Sequence, residues 1–449
     1  MKAAALKYTF LSLAANLSAA IIALLPFHAL LTVWLSSNLG HYTALRLWKE
    51  GLLLLIAVAV LYLLLTDSKI RSHTLTRRLV WLVVAYAALQ LLIGLLSLNA
   101  GLVTPKAAGY GILVNLRFLA FFLLVWAIAL RTVRLKSNWH RLVIWPAVLV
   151  VIFGFLQLLI LPTDFLRHLG YGPNTIMPFE TVNSNRDYIR IASTLRGPNP
   201  LGAYLIIPIT ATLVLLFKSA KKWRLGLLLG GALAVLLGSY SRSALLGAAV
   251  SMLIVTIVLT SAHQAKKIVF GAAVGLVLVV LVGVVAIHKN NRLETIVLHT
   301  EDHSSVAVSS NDAHLKALRS GVADIIHQPL GRGPGTAGPA SVYNNKPRIA
   351  ENYYLQIGQE VGVVGLMLFI LINAGVGYLL WLRRADALAL TLFASLISIS
   401  LVSLLSHAWT DDTLAYIWWG LAGIAMASGP LSAAATTAPA ARSVKAHAK

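Results

Sequence analysis

ENYYLQIGQEVGVVGLMLFILINAGVGYLLWLRR, residues 351–384, decides what kind of molecule this chain is. From Val361 to Leu382 no residue is charged, and two arginines, Arg383 and Arg384, close the run. At about 1.5 Å of rise per residue a helix of this length crosses a hydrocarbon core roughly 30 Å thick. The polar start of the run holds two carboxylates, Glu351 and Glu360.

Similar apolar stretches recur on both sides. Of 449 residues, 58% are hydrophobic and 12% charged, against roughly a quarter charged in an ordinary soluble domain. The composition excludes a soluble globule and predicts an all-α integral membrane protein. About twelve stretches are long enough to span, at roughly 13–35, 44–66, 79–98, 111–131, 141–162, 199–217, 223–240, 242–261, 267–287, 352–382, 386–408 and 413–431. Residues 1–431 are expected to form one polytopic domain, and the low-complexity end 432–449 a disordered tail. The first stretch is too long for a signal-peptide core and reads as a retained helix. The chain has no cysteine, which excludes disulfides and thiolate chemistry.

The net charge of +22 reads as topology and not as nucleic-acid binding. The two ends and alternate short connections, including Lys69/Arg71/Arg77/Arg78, Arg131/Arg134/Lys136/Arg141 and Arg383/Arg384, hold 21 of the 37 basic residues against Asp67 and Asp386. By the positive-inside rule that side, with both termini, is cytoplasmic. Two long segments, about 163–198 and 288–351, are then left outside. The second lies between the ninth and tenth stretches and is expected to be partly helical, with an amphipathic helix over 311–326.

Every even-numbered helix then starts at the outer face, where unpaired N–H groups and the positive dipole end favour anions. Arg196 stands before the sixth helix in STLRGPNPLGAYL, and Arg242 beside Ser241, a potential N-cap, starts the eighth. Arg186 and Arg190 lie just upstream, and Arg319 is on the amphipathic helix. Guanidinium forks match phosphate oxygens in pairs, so the cluster suggests a diphosphate cradle. Each arginine alone reads first as a side chain of the headgroup zone, and the cluster is what points to an anion.

Arg117 lies inside the fourth stretch, where charge is costly and marks either function or snorkelling. Glu360 shares a face with Tyr353 and Gln356, and a carboxylate at that depth is expected to need an arginine partner. Glu351, at the helix start, is either a dipole-matched carboxylate or a general base. Gly358, Gly362 and Gly365 form a small-residue stripe suited to helix packing. His407, Asp411 and Asp412 cluster near the end of the chain without a neighbouring nucleophile, and no histidine spacing indicates a metal site.

Four motifs in order, STLRGPNPLGAYL, SYSRSALLG, HQPLGRGPG and ENYYLQIGQEVGVVGLMLF, resemble the O-antigen ligase and Wzy-type polysaccharide polymerase superfamily over about 170 residues. The resemblance implies a bacterial inner-membrane enzyme. It would move a glycan from an undecaprenyl-diphosphate carrier to an acceptor hydroxyl on a glycan, lipid or protein, with no cofactor and no metal. Where ligases of this family carry His-Asn, this chain carries Glu351-Asn352, which implies Glu351 as the base and weakens the case for a lipopolysaccharide core ligase. A transporter or flippase of lipid-linked sugars is the alternative, although the halves show no evident repeat.

Overall fold

The computed structural model describes residues 2–182, 185–218, 222–261, 310–348 and 350–427, with positions 263, 264, 267 and 271. The expected stretch 267–287, apart from positions 267 and 271, the segment 288–309 and the tail 432–449 lie outside the described residues. The helices are α1 (Lys2–Leu24), α2 (His28–Leu39), α3 (Tyr42–Arg46), α4 (Trp48–Thr66), α5 (Ser68–Leu75), α6 (Arg78–Asn99), α7 (Pro105–Ala129) and α8 (Arg134–Leu159). They continue as α9 (Pro198–Lys218), α10 (Lys222–Gly238), α11 (Arg242–Leu259), α12 (Ser310–His327), α13 (Tyr353–Leu382), α14 (Ala387–Leu405) and α15 (Asp412–Met426).

Eleven of the twelve expected stretches therefore coincide with helices. Among the described residues nine helical segments are long and apolar enough to cross a membrane. With 17 and 15 residues, α10 and α15 are shorter than those nine. The first stretch is not one helix. It breaks into a 3₁₀ turn at Leu25–Phe27, where Pro26 cannot continue the hydrogen-bond ladder.

Local chemistry fixes the helix starts. Thr104 accepts from the Ala107 N–H ahead of Pro105, Asn352 from Tyr354 and Leu355, Asp386 from Leu388 and Ala389, and Asp411 from Leu414. Each side chain satisfies N–H groups that the helix leaves unpaired. Ser241 does not: it precedes α11 without a side-chain cap bond, contrary to the expectation for it.

The core forms around α15, which is buried from Thr413 to Met426. A helix apolar on every face belongs inside a bundle, and this one packs along α7. Phe118, Phe122, Trp409, Trp418 and Trp419 stack there with ring centroids 5.0–6.5 Å apart. The apolar belt of α4, α6 and α8 faces outward, with Leu54, Leu65, Leu95 and Trp145 exposed.

One end of the bundle is basic and has short connections. There Arg131 pairs with Asp67 at 2.6 Å, Lys136 with Asp386 at 3.2 Å, and Arg383 donates to the Ala425 carbonyl at 2.8 Å. Lys7 of α1 also meets the Thr66 carbonyl there. Both described chain ends thus share this end. The opposite end carries the long segments. A hairpin of β1 (Glu180–Val182) and β2 (Asn185–Arg190) lies in the first, with Glu180 opposite Arg190. The second carries α12 and a glycine-rich loop.

That loop corrects the expectation of a continuous tenth helix. Inside α13 the backbone leaves the helix at Val361 and Gly362, the latter at φ +70°. Residues 329–335 fill the gap: Arg332 N–H donates to the Gln359 carbonyl (2.9 Å), Gly333 N–H to that of Glu360 (2.8 Å), and Val363 N–H to that of Pro329 (2.9 Å). A side chain at Gly362 would be strained and would meet the Pro329 carbonyl oxygen at 2.2 Å. The three glycines therefore do not form one helix-facing stripe. Gly358 faces Ile325 of α12, Gly362 the loop, and Gly365 Val361 and Leu89.

Candidate functional site

Both long segments converge on a small polar cavity of about 60 Å³ at the loop-rich end. Ile176 contributes from the first segment and Pro339 from the second, while Arg46, Arg117, Arg196, Asp411 and Asp412 supply charge. In this arrangement the space suits a few waters and not a sugar ring.

Arg117 forms one wall. It is 4% exposed, so it does not snorkel. Its guanidinium donates to Glu50 Oε1 at 3.1 Å, to the Thr410 carbonyl at 3.1 Å and to Asp412 Oδ1. Lys49, 1% exposed, completes the network with Nζ 2.8 Å from Asp412 Oδ2 and 3.1 Å from Glu50 Oε2. Two cations and two carboxylates thus balance each other at the junction of α4, α7 and α15. His28 borders them, its Nδ1 accepting from Trp48 Nε1 at 2.9 Å. The pair Lys49-Glu50, charged and at the head of an apolar helix, is the signal of this network in the sequence.

Arg196 is exposed at the cavity edge and, among the described residues, makes no hydrogen bond or ion pair. Its charge is felt by His407 and Asp411. Arg190 lies across the start of α9. There Nε donates to the Ser239 carbonyl (3.0 Å) and Nη2 to Asn199 Oδ1 (2.6 Å), with Glu180 at 3.6 Å. Burial holds Arg190 below the ordinary arginine pKa, opposed by Glu180 and reinforced by the nearby Arg242. Arg190 and Arg242 are thus brought together. Arg186, exposed on β2, and Arg319, exposed on α12, are not joined to Arg196 by any described contact.

Glu351 precedes α13, and two bonds tie its turn to the end of α14. Asn352 Nδ2 donates to the Leu404 carbonyl at 2.9 Å, and the Tyr353 N–H to that of Ser406 at 3.2 Å. These bonds set Glu351 beside His407. Burial lowers the His407 pKa and Arg196 lowers it further, while Glu351, the Ala350 carbonyl and Asp411 oppose them. Asp411 is pushed up by burial, against Arg196.

Glu360 is fully buried, but its partner is not an arginine. Oε2 accepts from Asn115 Nδ2 at 2.6 Å and Oε1 from the Gly335 N–H at 2.9 Å. Arg117 is committed to Glu50 and Asp412 instead. Amide donors suffice because they leave no second charge to desolvate. Tyr353, also fully buried, packs edge-on to Phe369 at 5.4 Å and belongs to the core of α13.

An apolar groove of about 690 Å³ runs between α13 and α14. It starts at Tyr354 and Leu404, beside the turn that carries Glu351, and extends past Asn373 to Tyr378. Among the described residues no group of three histidines or carboxylates is placed to hold a metal ion.

No curated protein matches the chain. Residues 225–370, from α10 through the loop and into α13, match the family model described as O-antigen ligase. Its apolar helices make the chain a multi-pass membrane protein. Through residues 225–370 the chain is similar to the O-antigen ligase family.

Proposed function

We propose that the protein transfers a glycan from an undecaprenyl-diphosphate carrier to an acceptor hydroxyl, at the loop-rich end facing away from the cytoplasm. The observation that carries this is that Arg196 and Glu351 both act on His407, close to the end of the apolar groove at Tyr354 and Leu404. A lipid diphosphate has two unlike ends. The groove suits the isoprenoid, and an uncommitted arginine beside the catalytic turn suits the anion.

Arg196 and Arg242 bind the diphosphate, with Arg190 behind them and Arg186 and Arg319 as outlying helpers. Their charge stabilises the negative charge that develops on the leaving oxygen. The Glu351 carboxylate assists removal of the proton from the acceptor hydroxyl. The acceptor oxygen bonds to the anomeric carbon, the bond to the phosphate oxygen breaks, and the carrier diphosphate leaves with the electron pair. Direct attack inverts the configuration.

Lysine variants test the cradle. Arg196→Lys keeps charge but loses the paired fork, so purified protein should lose most transfer and bind the donor more weakly. Transfer and donor binding at the original level would overturn the cradle.

A further inference from the structure

We propose that His407 is the group that receives the acceptor's proton, with Glu351 acting beside it as the carboxylate that holds the imidazolium. This refinement rests on the proposed transfer reaction.

The placement is specific. His407 stands between the end of α14 and the 3₁₀ turn Ala408–Thr410. The Asn352–Leu404 and Tyr353–Ser406 bonds clamp that corner to residues 352 and 353, so the corner that carries His407 lies against the turn that carries Glu351, whose charge acts on the imidazole. The backbone is also fixed on the other side, since the His407 carbonyl accepts from Thr410 Oγ1 at 2.7 Å and from the Thr410 N–H at 3.1 Å. Among the described residues His407 Nδ1 is buried without a hydrogen-bond partner, an unmet polar atom that costs free energy. The charged groups facing the ring are Arg196, Glu351 and Asp411.

The electrostatics suit a base. Burial and Arg196 keep the ring neutral near pH 7, ready to accept, and Glu351 with Asp411 offsets the charge once a proton arrives. In the step itself the acceptor O–H gives its proton to the imidazole as its oxygen bonds to the anomeric carbon, and the carrier diphosphate departs with the electron pair. The imidazolium then returns the proton to water.

The test uses full-length protein in detergent with a lipid-diphosphate-linked oligosaccharide and a hydroxyl acceptor, following kcat, donor binding and pH dependence. Transfer by the unmodified protein is required first, and its absence would sink the proposed function and not the pairing alone. Given transfer, His407→Gln should lower kcat by roughly 10²- to 10⁴-fold, with donor binding intact. Its residual rate should lose the acid limb of the pH profile. Glu351→Gln should keep that limb but shift it to lower pH, because the carboxylate that raised the histidine pKa is gone. The double variant should be no slower than His407→Gln, as expected for residues acting as a unit. The proposal fails if His407→Gln keeps the original kcat. It fails also if Glu351→Gln abolishes the acid limb, an outcome that needs no folded His407 variant and would make Glu351 the base alone.

Discussion

Asn115, in the middle of α7, donates to Glu360 of α13 across 2.6 Å, and the same carboxylate accepts from the Gly335 N–H at 2.9 Å. One buried side chain thus ties two helices to the glycine-rich loop. Glu360→Gln retains one acceptor oxygen, and a flip of the Asn115 amide would offer its unpartnered Oδ1 to the new NH₂ group. Near-normal yield is expected. Glu360→Ala should lose about 1–3 kcal/mol for each donor left unpaired. Thermal unfolding in detergent measures both, and equal stability of the two variants would contradict the carboxylate's bridging role.

The network at Arg117 behaves differently because its members are charged. Arg117→Leu leaves Glu50 and Asp412 to share Lys49 alone, an uncompensated buried charge that should cost about 3–5 kcal/mol. A thermal midpoint unchanged from the original protein would show that this network adds little to stability.

A pH effect is expected at α12. Burial alone would raise the Asp324 pKa, but hydrogen bonds from Gln359 and Arg348 and the charge of Arg332 outweigh it and hold the carboxyl below its ordinary value. Arg348 is 2.5 Å away, Gln359 2.9 Å and Arg332 3.1 Å. A depressed folded-state pKa means that the clamp is fully present above the unfolded value and fades as pH falls through the folded one. Protection of α12 amides, corrected for the intrinsic exchange rate, should therefore be high at pH 7 and fall as pH drops below the ordinary carboxylate pKa of about 4. Equal protection at pH 3 and 7 would refute the clamp.

Labels attached at residue 175 should react from the outside, and labels at residue 72 only after the membrane is opened, since the basic end is assigned to the cytoplasm. The reverse pattern would place the cavity on the wrong side for its proposed donor.

Much of this was legible in the sequence, for physical reasons. Apolar length gives a membrane helix directly, so α6, α9 and α13 begin and end within a few residues of their expected bounds. Polar placement was harder. The Gly362 break was hidden because glycine also serves helix packing, and only the loop bonds to Gln359 and Glu360 separate the two uses. Periodicity put Glu360 deep in the bundle but could not say that Asn115 and a loop amide await it. His407 looked isolated because its neighbours, Arg196 and Glu351, are distant in the chain and meet it only where α14 ends beside the start of α13.

The most direct measurement supplies purified protein in detergent with an undecaprenyl-diphosphate-linked oligosaccharide and an acceptor, without gradient or second compartment, and reads products by mass spectrometry. Glycan joined to the acceptor, with free carrier diphosphate in equal amount, is the expected result. No transfer in detergent, together with movement of the intact lipid-linked sugar across reconstituted vesicles, would contradict the account and mark the protein as a transporter.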